Sequence, residues 1–455
     1  MLNENNIIFN SDSYKYSMYL QYPPETKAVY SYIESRGGKW DKTVYFGLQA
    51  FIKKYMLTPV TMEDIDEAEA VILAHGEPFN RAGWEYIVRE HGGRLPLVIR
   101  SAPEGSIIPG KNVLLVIENT DPECFWLTTF LETALLRAIW YPTTVATNSY
   151  ESKKEILSYL EKTGDPESIG FKLHDFGARG VSSKESAGLG GMAHLVNFNG
   201  TDTVMGLVYA RNFYGADMAG FSIPAAEHST VTSWGRENEV MPYRNMLKQF
   251  GREGTVVAVV SDSYDIFNAC EMWGTELKQD VINSGATVVI RPDSGNPPEV
   301  VLQCVQILEK HFSSVINAKG YKVLNNVRVI QGDGIDKQMI RAILYTLTLA
   351  GYSADNVAFG QGGALLQMVN RDDLAFAMKC SAILIGDKWV HVYKDPVTDP
   401  GKKSKRGRVT LYQNRDGSYR SGVEDWETPA LREVYRDGVL LIDDTWDEVT
   451  ARARK

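Results

Sequence analysis

His228 stands in the stretch "SIPAAEHSTVTSWGRENE" (222–239), beside Glu227 and among small and hydroxyl-bearing residues. The chain has only seven histidines, so its use here raises the question of a chemical role. An imidazole can gain or lose a proton near neutral pH, which suits it to catalysis. A surface histidine in a loop or at a helix start is the other interpretation, and this stretch alone leaves both open.

Polar and glycine residues also follow a series of short β-branched apolar runs. The runs with their polar ends are "IGFKLHDFGARG" (169–180), "TVVAVVSDSYD" (255–265), "TVVIRPDSG" (287–295), "NVRVIQGDG" (326–334) and "NVAFGQGG" (356–363). Buried strands alternating with helices predict parallel βαβ units, whose active sites lie at the carboxyl ends of the strands. The residues at those ends include His174, Asp175, Arg179, Asp262, Asp265, Arg291, Asp293 and Asp333. Turns and helix caps explain Gly and Asp at one strand, but five such ends favour a shared polar site.

These elements predict an α/β catalytic domain over residues 151–380, either a barrel or a doubly wound sheet. Residues 1–150 have more aromatic side chains and a helical pattern over 61–76. Residues 381–455 change character again and carry a basic loop, "GKKSKRGR" (401–408). The two ends of the chain are predicted to pack into a second domain, and the loop is interpreted as a solvated loop or a phosphate contact.

Composition excludes several classes of protein. The net charge of −9 argues against a general nucleic-acid binder, although a local arginine cluster could still bind an anionic substrate. The four cysteines are scattered without a CxxC pair, which argues against zinc and against a disulfide framework. The start has no apolar signal region, and no apolar run approaches the ~18 residues of a membrane span. A cytoplasmic enzyme or binding protein is therefore expected, with no membrane partner.

Two glycine-rich stretches imitate nucleotide-binding loops but fail on context. "GSIIPGKN" (105–112) has Asn112 where a phosphate-binding loop has Ser or Thr, and it precedes a strand-like run. "GLGGMA" (188–193) follows "VSSKES", which is no Rossmann strand.

Longer motifs carry a resemblance that covers Asp12 to about residue 411. They include "DSYKYSMYLQYPP", "LHDFGARGVSSKESAGLGGMAHLVNFNGTDTVMGL", "IPAAEHST", "SDSYDIFNACE", "RPDSGNPPEVV" and "QGDGID". In this order they closely resemble the nicotinamide phosphoribosyltransferase family, which are type II phosphoribosyltransferases. The resemblance implies a homodimer whose barrel-like α/β domain packs against a second α+β domain built from the N- and C-terminal parts. It also implies that nicotinamide and 5-phosphoribosyl-1-pyrophosphate (PRPP) are converted to nicotinamide mononucleotide and pyrophosphate, assisted by Mg²⁺ and ATP hydrolysis.

The resemblance also implies roles for individual residues. His228 would be phosphorylated by ATP, Asp293 would hold ribose hydroxyls, Asp265 would bind or orient magnesium, and Asp202 would accept a hydrogen bond from the nicotinamide carboxamide. Phe176 would stack on the nicotinamide ring. Arg291, with His228 and Asp293, is a catalytic candidate. The remaining substrate-binding candidates are Arg179, Ser261, Gly332, Asp333, Gly362, Gly363, Arg371 and Lys379. Residues expected from the partner subunit are Asp12, Tyr14 and Arg36.

One position departs from the family pattern. Ala377, two residues before Lys379, stands where the family often has serine, so ATP affinity or coupling could differ in this chain. The rival hypotheses are a nicotinate phosphoribosyltransferase of the same fold and a catalytically idle relative that binds nicotinamide.

Overall fold

The computed structural model describes residues 1–398 and 403–454. The chain divides into two compact units. The first comprises Met1–Thr147, Tyr209–Ala216 and Asn370–Lys455; the second comprises Asn148–Val208 and Asp217–Val369. The sequence-based boundaries at 150 and 380 differ from these because residues 376–385 form a strand that pairs along Thr26–Ser35 of the first unit. Part of the basic loop, residues 401 and 402, lies outside the described residues.

The first unit is built on a seven-stranded antiparallel sheet that interleaves the two ends of the chain. Its strands, in spatial order, are Lys388–His391, Phe376–Ile385, Thr26–Ser35, Val113–Asn119, Leu97–Ser101, Arg432–Arg436 and Val439–Leu440. Two small ribbons pair Lys42–Val44 with Ile107–Pro109, and Val409–Gln413 with Tyr419–Val423. Thr26–Ser35 is buried almost throughout, since neighbouring strands flank it on both sides. The predicted second domain from both ends is therefore confirmed as a mixed α+β unit.

Helices cover this sheet, and local sequence sets their ends. They are Leu48–Phe51, Met62–His75, Arg81–His91, Leu127–Phe130 and Trp446–Ala453, with parts of Glu132–Thr163 and Val204–Tyr214. The helix predicted over 61–76 is observed as Met62–His75. Thr61 caps its start with Asp64 in a capping box, and Gly76 ends it at a φ of 99°, which favours glycine.

The second unit is a parallel α/β barrel. Its six strands, in spatial order, are Gly200–Thr201, Leu173–Asp175, Val357–Gln361, Val327–Gln331, Thr287–Arg291 and Val256–Val260. Its helices are Lys184–Leu195, His228–Thr232, Val240–Phe250, Ile266–Gly274, Lys278–Ser284, Pro297–Phe312, Lys337–Leu349 and Gly363–Leu366, and a hairpin pairs Ser314–Ile316 with Lys322–Leu324. Each of the five apolar runs contains one of these strands, so the predicted parallel βα series is confirmed.

A short extended segment joins the two edges of this parallel sheet. Phe221 bridges Gly200 at one edge, and Ala225 bridges Ala258 at the other, both in parallel. Hydrogen bonds confirm the contacts, with Thr201 N donating to Phe221 O (3.0 Å) and Ala258 N to Pro224 O (3.0 Å). The sheet is therefore closed into a barrel, which decides between the two folds left open by the sequence.

Alternation along the strands separates the barrel interior from the outer core. Val257, Val259, Val288 and Ile290 are fully buried in the core that includes the surrounding helices. The interior instead holds small or medium side chains: Ala258, Val289 and Ile330, with Phe176 and Ala358 packed against them. The interior is narrow at this level, and Phe176 lies at its end.

The "GLGGMA" stretch has a packing role. It lies within the helix Lys184–Leu195, where Gly188, Gly190 and Gly191 are buried. A Cβ atom on Gly206 would lie 2.8 Å from the backbone of Gly191, so glycine is needed for close approach of the two segments.

Candidate functional site

The carboxyl ends of the barrel strands bring together residues that are far apart in sequence. Parallel strands end at the same edge, so residues that follow them meet there. The residues of interest at this edge are His174, Asp175, Phe176, Asp202, Asp262, Arg291, Asp293, Gly332, Asp333, Gly362 and Gly363.

His228 is the first residue of the helix His228–Thr232. Its ring is oriented by Asp262, which follows the strand Val256–Val260. Its Nε2 atom lies 2.8 Å from Asp262 Oδ1. The His228 side chain is 47% exposed whereas the Asp262 side chain is 5% exposed. A buried carboxylate therefore holds an imidazole ring that stays accessible. Glu227 instead caps its own turn and pairs with the Ser229 hydroxyl. The orienting carboxylate is therefore Asp262, which the sequence placed at a strand end without assigning it a role.

Asp262 also holds the loop that carries Asp293. Its Oδ2 accepts hydrogen bonds from the Asp293 amide (3.1 Å) and the Ser294 hydroxyl (2.7 Å). Burial raises the pKa of Asp293, and the negative charges of Asp262 and Asp333 raise it further against the opposing effect of Arg291 and His228. Three carboxylates therefore share this corner of the site, an arrangement that a cation would relieve.

Asp265, expected to bind magnesium, caps the helix Ile266–Gly274. Its Oδ1 accepts from the amides of Phe267 (2.9 Å) and Asn268 (3.1 Å), and no hydrogen bond within the described residues reaches its Oδ2. Across residues 1–398 and 403–454, no group of three or more His, Cys, Asp or Glu side chains is arranged to hold a metal. Magnesium commonly takes only one or two protein carboxylates and fills its other positions with substrate phosphates and water. The free Oδ2 of Asp265 fits that requirement as a single carboxylate ligand.

Phe176 lies over the mouth of the barrel. Its ring lies close to the backbone of two glycines. A Cβ atom added to Gly360 would lie 1.9 Å from Phe176 Cε2, and a Cβ atom added to Gly332 would lie 3.2 Å from the same atom. The same Cβ on Gly332 would lie 3.3 Å from Asp293 Oδ1, so the ring, the glycine turn and the carboxylate are neighbours. This juxtaposition places a flat apolar surface beside the "QGDG" turn, as a stacked aromatic base requires.

Asp202 and Arg291 bring opposite charges to this mouth. His174 Nε2 lies 2.8 Å from Asp202 Oδ1, and the Ser222 hydroxyl donates to the same oxygen over 2.6 Å. Partial desolvation of the half-exposed Asp202 carboxylate would raise its pKa, but these hydrogen bonds and the charges of His174 and Arg291 lower it. The Nε atom of Arg291 is buried and has no hydrogen-bond partner within the described residues, so this polar group is left unsatisfied.

The other expected residues of the second unit are placed as follows. Gly363 begins the helix Gly363–Leu366 after Gly362, and the backbone of Asp333 accepts a hydrogen bond from Gln331 Nε2 (3.1 Å). Arg179 is exposed in the short turn Ala178–Gly180. Ser261 is fully buried: its hydroxyl donates to Val259 O (3.0 Å) and accepts from the Trp273 indole (3.1 Å). Ser261 shares the outer face of its strand with Val257 and Val259, so its observed partners are core residues, and its expected substrate contact stays a prediction.

Arg371 and Lys379, expected to line the same site as Arg291, belong to the first unit. There they surround a cleft of about 530 Å³ together with Arg36 and Lys394. Ala377 also lines it, and its acidic residues are Glu132 and Asp372.

This cleft has more positive than negative charge. The Nη2 atom of Arg36 is buried without a partner. Burial lowers the pKa of Lys379, and the nearby positive charges of Arg36, Lys15 and Lys394 lower it further, while Glu132 opposes them. Lys379 Nζ lies 3.8 Å from Glu132 Oε1, and Arg371 Nη2 lies 3.1 Å from Oδ1 of its neighbour Asp372. An anion with several oxygens would satisfy these donors.

Asp12 and Tyr14 belong to this first unit as well. Asp12 accepts a hydrogen bond from Thr133 (2.5 Å), one residue after Glu132. The Lys15 ammonium lies 5.0 Å from the centre of the Tyr14 ring and pairs with Glu132. The Tyr14 side chain is 57% exposed.

Comparisons with known proteins show the family to which the chain belongs. Residues 171–438 match the model of the nicotinate phosphoribosyltransferase (NAPRTase) family, and residues 6–99 match that of the nicotinamide phosphoribosyltransferase N-terminal domain. The chain is 57% identical over 459 aligned residues to a nicotinamide phosphoribosyltransferase of Xanthomonas campestris pv. campestris, covering 98% of each chain. It is 33% identical to that of Acinetobacter baylyi, covering 97% of this chain and 95% of the relative.

Solved structures support the fold. A nicotinate-nucleotide pyrophosphorylase from Pyrococcus furiosus superposes with a TM-score of 0.65 at 16% identity, covering 100% of this chain and 96% of that one. Human nicotinic acid phosphoribosyltransferase gives a TM-score of 0.58 at 16% identity, covering 97% and 92% respectively. No helix in the described part of the chain is long and apolar enough to cross a membrane.

Proposed function

The chain belongs to the nicotinamide phosphoribosyltransferase family, and we propose that it forms nicotinamide mononucleotide and pyrophosphate from nicotinamide and PRPP. The product places the enzyme in NAD biosynthesis. The observation that carries this proposal is the grouping at the barrel mouth: Phe176 for the base, Asp202 for its carboxamide, Asp293 for the ribose and the Arg291 guanidinium, whose Nε has no partner, for phosphate.

The reaction requires positioning of the substrates and stabilisation of charge on the leaving group, and it does not require a general base. The pyridine nitrogen of nicotinamide already carries a free lone pair, so its attack on the ribose C1 needs no proton removal. Phe176 would hold the ring over the barrel while Asp293 fixes the ribose, which brings the nitrogen and C1 into line. As the bond to pyrophosphate breaks, negative charge grows on the leaving oxygens, and Arg291 would stabilise it.

The two glycine turns suit the other phosphate of the donor. Gly332 and Gly363 have no side chain to block a ligand, and their backbone amides can approach phosphate oxygens closely. Asp333 lies next to Gly332 and, with Asp293, adds carboxylate oxygens at the ribose end.

Magnesium, when bound with the pyrophosphate group, would neutralise its charge and hold its oxygens in a fixed arrangement. Asp265 would hold it directly or through water by the Oδ2 atom that its cap leaves free. Burial raises the pKa of Asp293 and the charges of Asp262 and Asp333 add to the rise, so a cation bound near Asp293 would relieve that repulsion.

ATP would act through His228. The Asp262 carboxylate at Nε2 is a hydrogen-bond acceptor, so Nε2 would carry the proton and the Nδ1 lone pair would attack the γ-phosphorus of ATP. The bond from that phosphorus to the bridging oxygen would break, with ADP as the leaving group. The exposure of the ring leaves that nitrogen accessible. A phosphoryl group on His228 would add negative charge beside the Asp293 loop and so change how that loop holds magnesium and the substrate.

The cleft around Arg36, Arg371 and Lys379 would bind phosphate groups in a homodimer with shared active sites. Its unpaired arginine donor and lysine with lowered pKa are supporting observations. The exposed ring of Tyr14 would complete the base site of the partner subunit.

Product identification tests the proposed reaction. The enzyme is incubated with PRPP, magnesium and ATP, and with nicotinamide or nicotinate in turn. Nicotinamide mononucleotide formed much faster than nicotinate mononucleotide supports the proposal. Faster use of nicotinate would make the protein a nicotinate phosphoribosyltransferase, and no product from either base would indicate an idle relative.

A further inference from the structure

The carboxylate that faces the base is itself held in place by two side chains. Asp202 Oδ1 accepts from His174 Nε2 at 2.8 Å and from the Ser222 hydroxyl at 2.6 Å. No hydrogen bond within the described residues reaches Oδ2. One oxygen is thus anchored by two donors while the other stays open, which fixes the direction in which Asp202 can accept a hydrogen bond.

The proton between His174 and Asp202 can be placed. The hydrogen bonds and the charge of Arg291 hold the pKa of Asp202 below its ordinary value despite burial, so this group is a carboxylate near neutral pH. A carboxylate can only accept, so the hydrogen lies on His174 Nε2. The ring has little freedom to turn away, because its Nδ1 atom lies against Gly200, where a Cβ would come within 2.6 Å.

His174 also lies beside the surface on which the base would stack. Its ring centre is 5.3 Å from that of Phe176, the next residue but one on the chain. One residue therefore contacts both the stacking ring and the carboxylate, and it can set their mutual geometry.

We propose that His174 is a positioning residue that sets base selectivity, by holding Asp202 as an ionised acceptor beside Phe176 so that a base with an NH₂ donor is favoured over one with a carboxylate. This inference rests on the proposed function, in which Asp202 meets the carboxamide of nicotinamide. Two donors on Oδ1 keep the charge and the open oxygen of Asp202 in place. Without them the carboxylate can rotate or take up a proton, and both changes weaken its preference for an amide.

The test compares His174→Leu with His174→Gln. Leucine removes the donor, whereas the glutamine amide can reach the position of Nε2 and restore it. We expect His174→Leu to lower kcat/KM for nicotinamide about tenfold or more, mainly through KM, because a hydrogen bond to a charged group is lost. The ratio of nicotinamide to nicotinate use should fall with it, and His174→Gln should recover most of that ratio. Ser222→Ala, which removes the other donor, should lower the ratio in the same direction.

Two controls separate this role from loss of structure and from failure of the proposed function. The KM for PRPP and the thermal unfolding midpoint should stay near wild type in His174→Leu. Asp202→Asn is measured beside it: if that variant leaves the base ratio unchanged, the recognition role of Asp202 is wrong. If Asp202→Asn changes the ratio and His174→Leu does not, or if His174→Gln is no better than His174→Leu, the positioning role of His174 is overturned and the proposed function stands.

Discussion

His228 Nε2 lies 2.8 Å from Asp262 Oδ1, and the second oxygen of Asp262 accepts hydrogen bonds from the Asp293 amide and the Ser294 hydroxyl. One buried carboxylate therefore connects the accessible histidine with the loop proposed to hold the ribose. A change of charge at His228 acts directly on the partner that fixes Asp293. This connection gives a physical route by which phosphorylation could alter substrate binding.

The first prediction concerns His228→Ala. This variant should lose substrate-stimulated ATP hydrolysis and retain some ATP-independent product formation, because the imidazole is proposed to carry phosphate and to take no part in the displacement. Acid-labile, base-stable phosphate should be found on the wild type and be absent from the variant. His228→Gln is the matched control, since it keeps a donor toward Asp262 without a phosphorylatable ring. ATP hydrolysis at wild-type rates in either variant would rule out the phosphohistidine role.

The second prediction concerns Asp175 and pH. The Asp175 side chain is fully buried, and burial raises its pKa from 3.8 to about 6, although the Gly177 amide at 2.7 Å and other donors oppose the rise. Below pH 3.8 the Asp175 carboxyl group is protonated in the folded and the unfolded protein, so its burial does not lower the free energy of unfolding. As pH rises toward 6 the unfolded chain loses this proton first, so stability falls, and above about 6 the cost is constant at about 3 kcal/mol.

Asp175→Asn should remove that dependence. Its amide oxygen can still accept from Gly177, and its NH₂ can face the Thr201 hydroxyl that now contacts the carboxylate. In denaturant unfolding, the stability of the variant relative to wild type should increase between pH 4 and 6 and then level off. Asp175→Ala, which loses the acceptor for Gly177, is the control and should be less stable than Asp175→Asn at each pH. A difference between Asp175→Asn and wild type that is flat from pH 4 to 7 would contradict the raised pKa.

The third prediction concerns assembly. If Tyr14 and Arg36 complete the partner's site, a Tyr14→Ala, Arg36→Ala chain and an Arg291→Ala chain should each be inactive alone and active when mixed. Random exchange makes half of the dimers hybrid, and each hybrid has one intact site of two, so about a quarter of wild-type activity should return. Subunit exchange is verified with two differently tagged chains. Confirmed exchange without any recovery would mean that each active site is contained in one chain.

The fourth prediction concerns Ala377, which lines the cleft with Arg36, Arg371 and Lys379. Ala377→Ser adds a hydroxyl where a phosphate oxygen could accept a hydrogen bond. We expect the KM for ATP to fall about threefold to tenfold, since one hydrogen bond to a charged group is gained. The ATP-independent rate and the KM for nicotinamide should not change. An unaltered KM for ATP would mean that the family serine does not contact the nucleotide.

Local patterns predicted much of the fold. The five apolar runs became five barrel strands, and Thr61 and Gly76 marked the ends of a helix, because both signals depend on residues close together in the chain. The same patterns could not distinguish a closed barrel from an open sheet. That depended on the segment from Phe221 to Ala225, whose two bridges join strands more than fifty residues apart in sequence.

The sequence by itself determined which residue types stand at the strand ends, and its long motifs determined the family. Only the tertiary structure decided what each residue contacts. Asp262, and not the adjacent Glu227, holds His228, although it is 34 residues away. Ser261 is hydrogen-bonded within the core, while Arg371 lines a cationic cleft of the first unit. The physical reason is that the sequence gives the identity of each side chain directly. The hydrogen-bond partners, burial and charge environment of a side chain depend on distant segments that come together only on folding.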